Sequence, residues 1–250
     1  MAQQALGFSD QDIEKDPQKQ AEVQKRIQFA YAILAVSLGV PVLHMGHPAG
    51  MHNGHIHDTY NKDDKDTWVP WAADMQDWQK NSVRFVREAF KFRHHHPELQ
   101  REDFLTTGKA YPETGKEEVK WYNTAGNEMR SDDWKHGQCF SYVLSGKPTT
   151  VSDRRTKSGT ATKVGPDVFI AVNDSPDTVT FTLPALAPAE KWTMAMDSSN
   201  LSGKASRHTV HAAESTIEIP SKTLMAFEGG KERALQTLYN TPGKSGAKRA

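Results

Sequence analysis

The residues best suited to binding a metal or moving a proton crowd between His44 and Asp58: His44, His47, His52, His55, His57 and Asp58. Neutral imidazoles and a carboxylate are the ligands that zinc, nickel or copper take, and a loop can bring three together. Their spacing fits no recognised motif such as His-Glu-x-x-His. A loop that is merely rich in histidine is therefore favoured over a metal site, and no metal or cofactor is expected. Asn61, Asp63, Asp64 and Asp66 suggest calcium chemistry but lack the central glycine and distal glutamate of an EF-hand loop. Trp68 and Trp71 follow. An exposed indole can stack on the apolar face of a sugar ring, but a tryptophan ahead of a helix more often packs against it, and core packing is the favoured reading.

The remaining reactive side chains have plain structural explanations. His94, His95 and His96 sit at the end of a helical pattern, where a cation complements the helix dipole. Cys139 is the only cysteine and lies in an apolar strand pattern, where a thiol is inert and an internal disulfide is impossible. The chain has neither a Gly-x-Ser-x-Gly elbow nor a phosphate-cradling glycine loop ahead of a helix. No self-contained active site stands out.

These residues must be positioned by elements whose patterns are clear. Asp16 as N-cap and Pro17 as first helical residue start a helix running to about Leu38, with Ile27, Tyr31, Leu34 and Leu38 on one stripe. Gly39 ends it, and Val40–Gly46 reads as a short strand buried on both faces. His47–Trp71 is loop-like. A second helix spans about Met75–His96, with Trp78, Phe85, Ala89 and Phe92 on its buried stripe and Val86 and Phe90 beside it, and Pro97 stops it. Seven short strands follow: Glu118–Tyr122, Gln138–Ser145, Val168–Asn173, Thr178–Leu183, Lys191–Asp197, Thr216–Ile219 and Thr223–Phe227. Alternation such as Val179, Phe181, Leu183 or Trp192, Met194, Met196 gives each one core face, and together they predict an antiparallel β-sandwich. Lys147–Gly165 reads as a mobile polar insertion, and residues 241–250 as a disordered tail.

The whole chain has 250 residues, with 31 Lys+Arg balancing 31 Asp+Glu, and is 36% hydrophobic and 25% charged. Zero net charge gives no field to gather nucleic acid or anionic lipid. No apolar run approaches the roughly 18 to 20 residues that span a bilayer. The opening MAQQALGFSDQD lacks a basic stretch followed by an apolar one, so an intracellular location, cytoplasmic or plastid, is expected.

Several segments, in order, resemble the C-terminal part of the isoamylase and glycogen-debranching branch of the alpha-amylase family. Asp16-Pro17 through Gln24-Lys25-Arg26 to Leu38–Gly46 is similar to its seventh barrel helix and eighth strand. Phe85-Val86-Arg87 through Phe92-Arg93 to His96-Pro97-Glu98-Leu99, with Phe104, resembles its final helix. Trp121, Gly126-Asn127-Glu128-Met129 and Asp132-Asp133-Trp134 match a pattern specific to the branch. Val172-Asn173, Thr180–Pro184, Trp192 and Asp197 continue it, so the likeness spans about residues 16 to 228.

The resemblance implies an α+β chain: a remnant of the last α/β units of a (β/α)8 barrel over 1–98, then a β-sandwich over 99–240. It implies starch or glycogen metabolism, with hydrolysis of α-1,6 branch linkages as the parent activity. Two departures bear on that activity. The family's Gly-Asp-Glu-x-Gly after the eighth strand is replaced by Gly46-His47-Pro48-Ala49-Gly50. The family's nucleophilic Asp, acid/base Glu and stabilising Asp, at the ends of strands four, five and seven, have no counterparts here. Retaining hydrolysis needs two carboxyl groups roughly 5 to 5.5 Å apart, so the chain is expected to be inactive alone, with no catalytic residue of its own. Trp68, Trp71, His47, Asn53 and Asp58 are the candidate substrate contacts. The expected partners are an α-glucan and a full-length isoamylase subunit, and the alternative is a non-catalytic glucan-binding or assembly module. An isolated eighth strand would expose two unpaired edges, so the N-terminal third is expected to be poorly ordered or to lean on the sandwich or another subunit.

Overall fold

The computed structural model describes residues 6–9, 13, 15–51, 60–63, 67–135, 137–152, 158, 160–204 and 209–230. Its first helix, α1 (Pro17–Val36), starts as expected: Asp16 Oδ1 accepts hydrogen bonds from the backbone N–H of Gln18 (2.9 Å) and Lys19 (3.3 Å). It ends two residues before Leu38, where the Ser37 hydroxyl and N–H both donate to the Ile33 carbonyl. The face packed against the rest of the molecule carries Phe29, Ala32, Ala35 and Val36. This is rotated from the expected stripe: Ile27 joins a satellite cluster with Ile13 and Val23, Tyr31 and Leu34 are half-buried, and Leu38 is exposed. The alanines explain the rotation, because small side chains let a second helix approach closely.

That helix, α2 (Asp77–His95), buries Phe85, Val86, Ala89 and Phe92, as its spacing predicts, while Trp78 and Phe90 are half-buried. Gln79 Oε1 accepts from the Gln76 N–H at 2.8 Å and tidies its first turn. Near its end, buried Arg93 donates to the carbonyls of Ala35 (3.0 Å), Ser37 and Gly39 (2.6 Å). One guanidinium thus takes up the Ala35 carbonyl in the last turn of α1 and two carbonyls just beyond it, and ties the two helix ends together.

The strands are β1 (Val119–Tyr122), β2 (Cys139–Leu144), β3 (Pro148–Ser152), β4 (Thr160–Val164), β5 (Asp167–Asn173), β6 (Val179–Thr182), β7 (Lys191–Asp197), β8 (Val210–Ala212), β9 (Thr216–Ile219) and β10 (Thr223–Gly230). Six of them form an antiparallel sheet in the order β1-β2-β5-β10-β7-β8, and β6 pairs with β9 in a second, two-stranded sheet. The large sheet is the middle of three layers. Leu144, Val168, Ile170, Met196, Leu224 and Ala226 face the helices. Phe169, Trp192, Met194, Met225 and Phe227 face Phe181, Leu183, Ile217 and Ile219 of the small sheet and its flank. The two sheets form the expected β-sandwich, and the helices cover its other side.

Four expectations need correction. Val40–Gly46 forms no strand: Val40, Val42 and Met45 are 89%, 83% and 76% exposed. An apolar run of this kind pairs only between neighbouring parallel strands, and none is present among the described residues. Lys147–Gly165 is no structureless insertion, since β3 and β4 pair in register from Pro148↔Val164 to Ser152↔Thr160. Threonine-rich strands of this type have few apolar residues to mark them. The central strands β5, β7 and β10 are buried on both faces, not one, because both faces of the sheet are covered. Met196 does not share a face with Trp192 and Met194. The register with β10 slips between Ala226 and Phe227, placing an extra residue in β7 at Ala195, and this bulge turns Met196 toward the helices.

His96 is more than a helix cap. It is buried at the end of α2, with Nδ1 2.6 Å from Glu98 Oε1 and Nε2 2.9 Å from Glu228 Oε1, and both glutamates are buried too. Glu98 lies in the turn Pro97–Leu99 and Glu228 in β10, so the imidazole staples the helical layer to the middle of the sheet. Burial opposes the charged ring, but hydrogen bonds to Glu228 and Glu98 outweigh it and raise its pKa to about 9.

Two predictions follow from these buried polar groups. Gln28 is fully buried on α1, and neither of its side-chain polar atoms finds a partner among the described residues. Gln28→Met, which keeps the shape and removes the amide, is expected to raise stability in urea by about 1–2 kcal/mol. A lower midpoint would show that the amide is satisfied. The folded pKa of His96 lies above the unfolded value of 6.5, so its stabilisation is complete below that value and is lost as pH rises through about 9. Urea titrations should lose on the order of 3 kcal/mol between pH 6 and 10, and His96→Gln should flatten that slope; equal slopes would contradict the assignment.

Candidate functional site

The histidine-rich turn is built on glycine. Gly46 and Gly50, both with positive φ, bracket the single 3-10 turn His47–Ala49. A Cβ at Gly50 would meet a ring carbon of Trp78 at 2.4 Å, so only glycine lets the turn lie on the first residues of α2. Gln79 Nε2 fixes it there by donating to the Ala49 carbonyl at 2.8 Å. His47 stacks on His44 with ring centroids 4.2 Å apart. Burial, and then the neighbouring His44, push the His47 pKa below its ordinary value, so its ring is neutral at neutral pH.

Of the other expected contacts, Asn53 and Asp58 lie outside the described residues, as do His52, His55 and His57. Among the described residues no three His, Cys, Asp or Glu side chains are grouped to hold a metal. Trp68 and Trp71 do not pack into the core, contrary to the favoured reading: they are 59% and 80% exposed. Trp68 Nε1 donates to Asp63 Oδ1 at 2.9 Å, which holds the indole while leaving its ring in solvent. Asp63 thus orients Trp68, while Asp64 and Asp66 of the acidic run lie outside the described residues.

The motif Trp121, Gly126–Met129, Asp132–Trp134 has a packing explanation. Asn123 Oδ1 accepts from the N–H of Ala125 and Asn127 (both 3.1 Å), and Asp133 Oδ2 accepts from the Arg130 N–H at 2.7 Å. These turns fold Trp134 edge-on to Trp121, 5.3 Å between centroids, beside Phe140 and Tyr142. Cys139 Sγ lies 3.2 Å from Asn173 Oδ1, a structural contact.

Carboxylates meet at two places that the spacing of residues in the sequence did not reveal. Glu98 and Glu228 flank His96, but no substrate reaches them because all three are buried. Glu117 and Asp167 line a cleft of about 330 Å³ on the face of β1 and β2 away from the helices. Lys120 and Tyr122 of β1 project into it, over a floor of Val143, Leu186 and Trp192. Glu117 is paired with Lys120 at 2.9 Å and Asp167 with Lys116 at 2.7 Å, and Asp167 Oδ1 also accepts from the Gly146 N–H. Each acid is held by its own cation, so the cleft presents paired hydrogen-bonding groups of both signs.

Comparison with known proteins agrees with the motifs. Residues 118–227 match the family model "Isoamylase, C-terminal". The chain is 25% identical over 215 residues to the glycogen operon protein GlgX homolog of Mycobacterium tuberculosis, covering 85% of this chain and 29% of that protein. It is 25% identical over 125 residues to the glycogen debranching enzyme of Salmonella typhi, covering 49% of this chain and 17% of that protein. The fold is similar to that of a pullulanase from Anoxybacillus, with a TM-score of 0.54 at 19% identity over 82% of this chain and 23% of the other. The chain therefore spans under a third of the relatives it matches. No helix among the described residues is long and apolar enough to cross a membrane. Over residues 118–227, the sandwich is thus similar to the C-terminal domain of isoamylase-type enzymes.

Proposed function

We propose that this chain acts in α-glucan debranching, contributing the C-terminal β-sandwich and the adjoining helical segment of an isoamylase-type α-1,6-glucosidase, without hydrolytic activity of its own. The match of residues 118–227 to the isoamylase C-terminal family carries this reading. The helices and Val40–Met45, within 1–98, are read as the last units of a (β/α)8 barrel, and 99–240 as the sandwich domain. The exposed apolar strip at Val40, Val42 and Met45 supports it, because side chains exposed on both sides of one segment suit a strand covered by neighbours on each face. The same strip is the surface that a longer debranching subunit would cover, and that assembly role is the second reading.

Glucan contact is assigned to Trp68 and Trp71, whose exposed rings suit the apolar face of a glucose unit, with His47, Asn53 and Asp58 kept as the polar candidates. The related pullulanase was solved with maltotetraose, which supports the same ligand class. The reading places the protein inside the cell, where glycogen and starch are metabolised.

Incubating the purified chain with amylopectin should release no linear chains, while electrophoresis in a native gel containing amylopectin should retard it. Replacing Trp68 and Trp71 together by alanine should remove most of that retardation. Release of linear chains by material free of full-length enzyme would contradict the inactivity. Migration unaffected by amylopectin would contradict the glucan contact.

A further inference from the structure

The cleft on the far side of the sandwich exists because the two sheets differ in width. The β6–β9 pair and the chain beside it cover the middle of the six-stranded sheet, packing on Phe169, Met225 and Phe227. The cover stops before β1, the edge strand, so the outward residues Lys120 and Tyr122 are left with only part of a roof. Trp192 Nε1 donates to the Pro184 carbonyl at 2.9 Å and pins the segment Pro184–Ala187 as the facing wall. Strand alternation sets the sides. Val119 and Trp121 face the helices, while Lys120, opposite Val143, and Tyr122, opposite Ser141, face the cleft.

We propose that this cleft is a second glucan-binding site, taking a short neutral oligosaccharide. The ligand class follows from its charges and its floor. Two ammonium groups meet two carboxylates in two ion pairs, so a charged ligand would have to break one pair to be held by the other member. A polyhydroxylated neutral ligand need break neither, because each hydroxyl both donates to a carboxylate oxygen and accepts from an ammonium. The ring of Tyr122, with Val143 and Leu186, supplies the apolar surface that the carbon–hydrogen face of a sugar requires. At about 330 Å³ the cleft is at the small end of ligand sites, and its open side at β1 lets a longer chain run out into solvent. That the oligosaccharide is an α-glucan rests on the proposed function. The position does not, since the cleft and the helical layer beneath Trp68 and Trp71 lie on opposite faces of the sheet.

Backbone amide NMR of the whole chain during titration with maltotetraose separates these possibilities. The expected result is shift changes at residues 115–122 and 185–187, with binding weakened about fivefold in Lys120→Ala, the loss of one net hydrogen bond. Tyr122→Ala should weaken it as well, and a far-UV spectrum and melting curve for each variant show whether the sandwich is intact. Changes confined to residues around Trp68 and Trp71 would overturn the second site and leave the proposed function standing. No change anywhere up to tens of millimolar would overturn both the second site and glucan contact. Response to glucose 6-phosphate but not to maltotetraose would overturn the neutral-ligand argument.

Discussion

The structure depends on covering one sheet on both faces. Strands β5, β7 and β10 carry apolar side chains on consecutive positions, as in Val168–Val172 and Leu224–Phe227, so neither face can be left to water. The small β6–β9 sheet covers one face and the helices cover the other. The bulge at Ala195 is part of this solution, because it shares the large residues of β7 between the two cores: Trp192 and Met194 on one side, Met196 on the other.

The helical layer is held by more than apolar contact. Arg93 gathers carbonyls from the end of α1, and His96 bridges the turn after α2 to Glu228 in the central strand. The loop after β7 adds a third attachment, with Gln24 Nε2 donating to the Leu201 carbonyl at 2.7 Å and an Arg84 nitrogen to that of Ser202 at 3.0 Å. A Cβ at Gly203 would come within 2.3 Å of the Asn81 carbonyl oxygen, so this loop lies directly on α2. Polar groups thus decide where the helices sit, and the apolar faces decide that they sit there at all.

Local patterns made much of this legible. Asp16-Pro17 marks a helix start through its own atoms, and the spacing of Phe85, Ala89 and Phe92 marks a buried stripe without reference to the rest of the chain. The expected strands appear within a residue or two at most ends, apart from the longer β10. What the pattern could not show depends on distant partners. His96 and Glu228 are 132 residues apart, and nothing near His96 signals burial. The bulge is a property of a strand pair, not of β7 alone. The cleft is assembled from several segments, and Val40–Met45 has a strand's composition without the neighbours a strand needs. The two exposed tryptophans were legible as candidates, but the sequence did not distinguish a solvent-facing indole from a packed one.

The central claim is that the helices are a structural layer of the sandwich, sharing its core, and not an appendage. Native-state hydrogen exchange of the full chain tests it residue by residue. The account predicts that the amides of Phe85 to Phe92 open with the same free energy as those of Ile170 and Ala226. Helix amides that exchange far more easily than the central strands would contradict it.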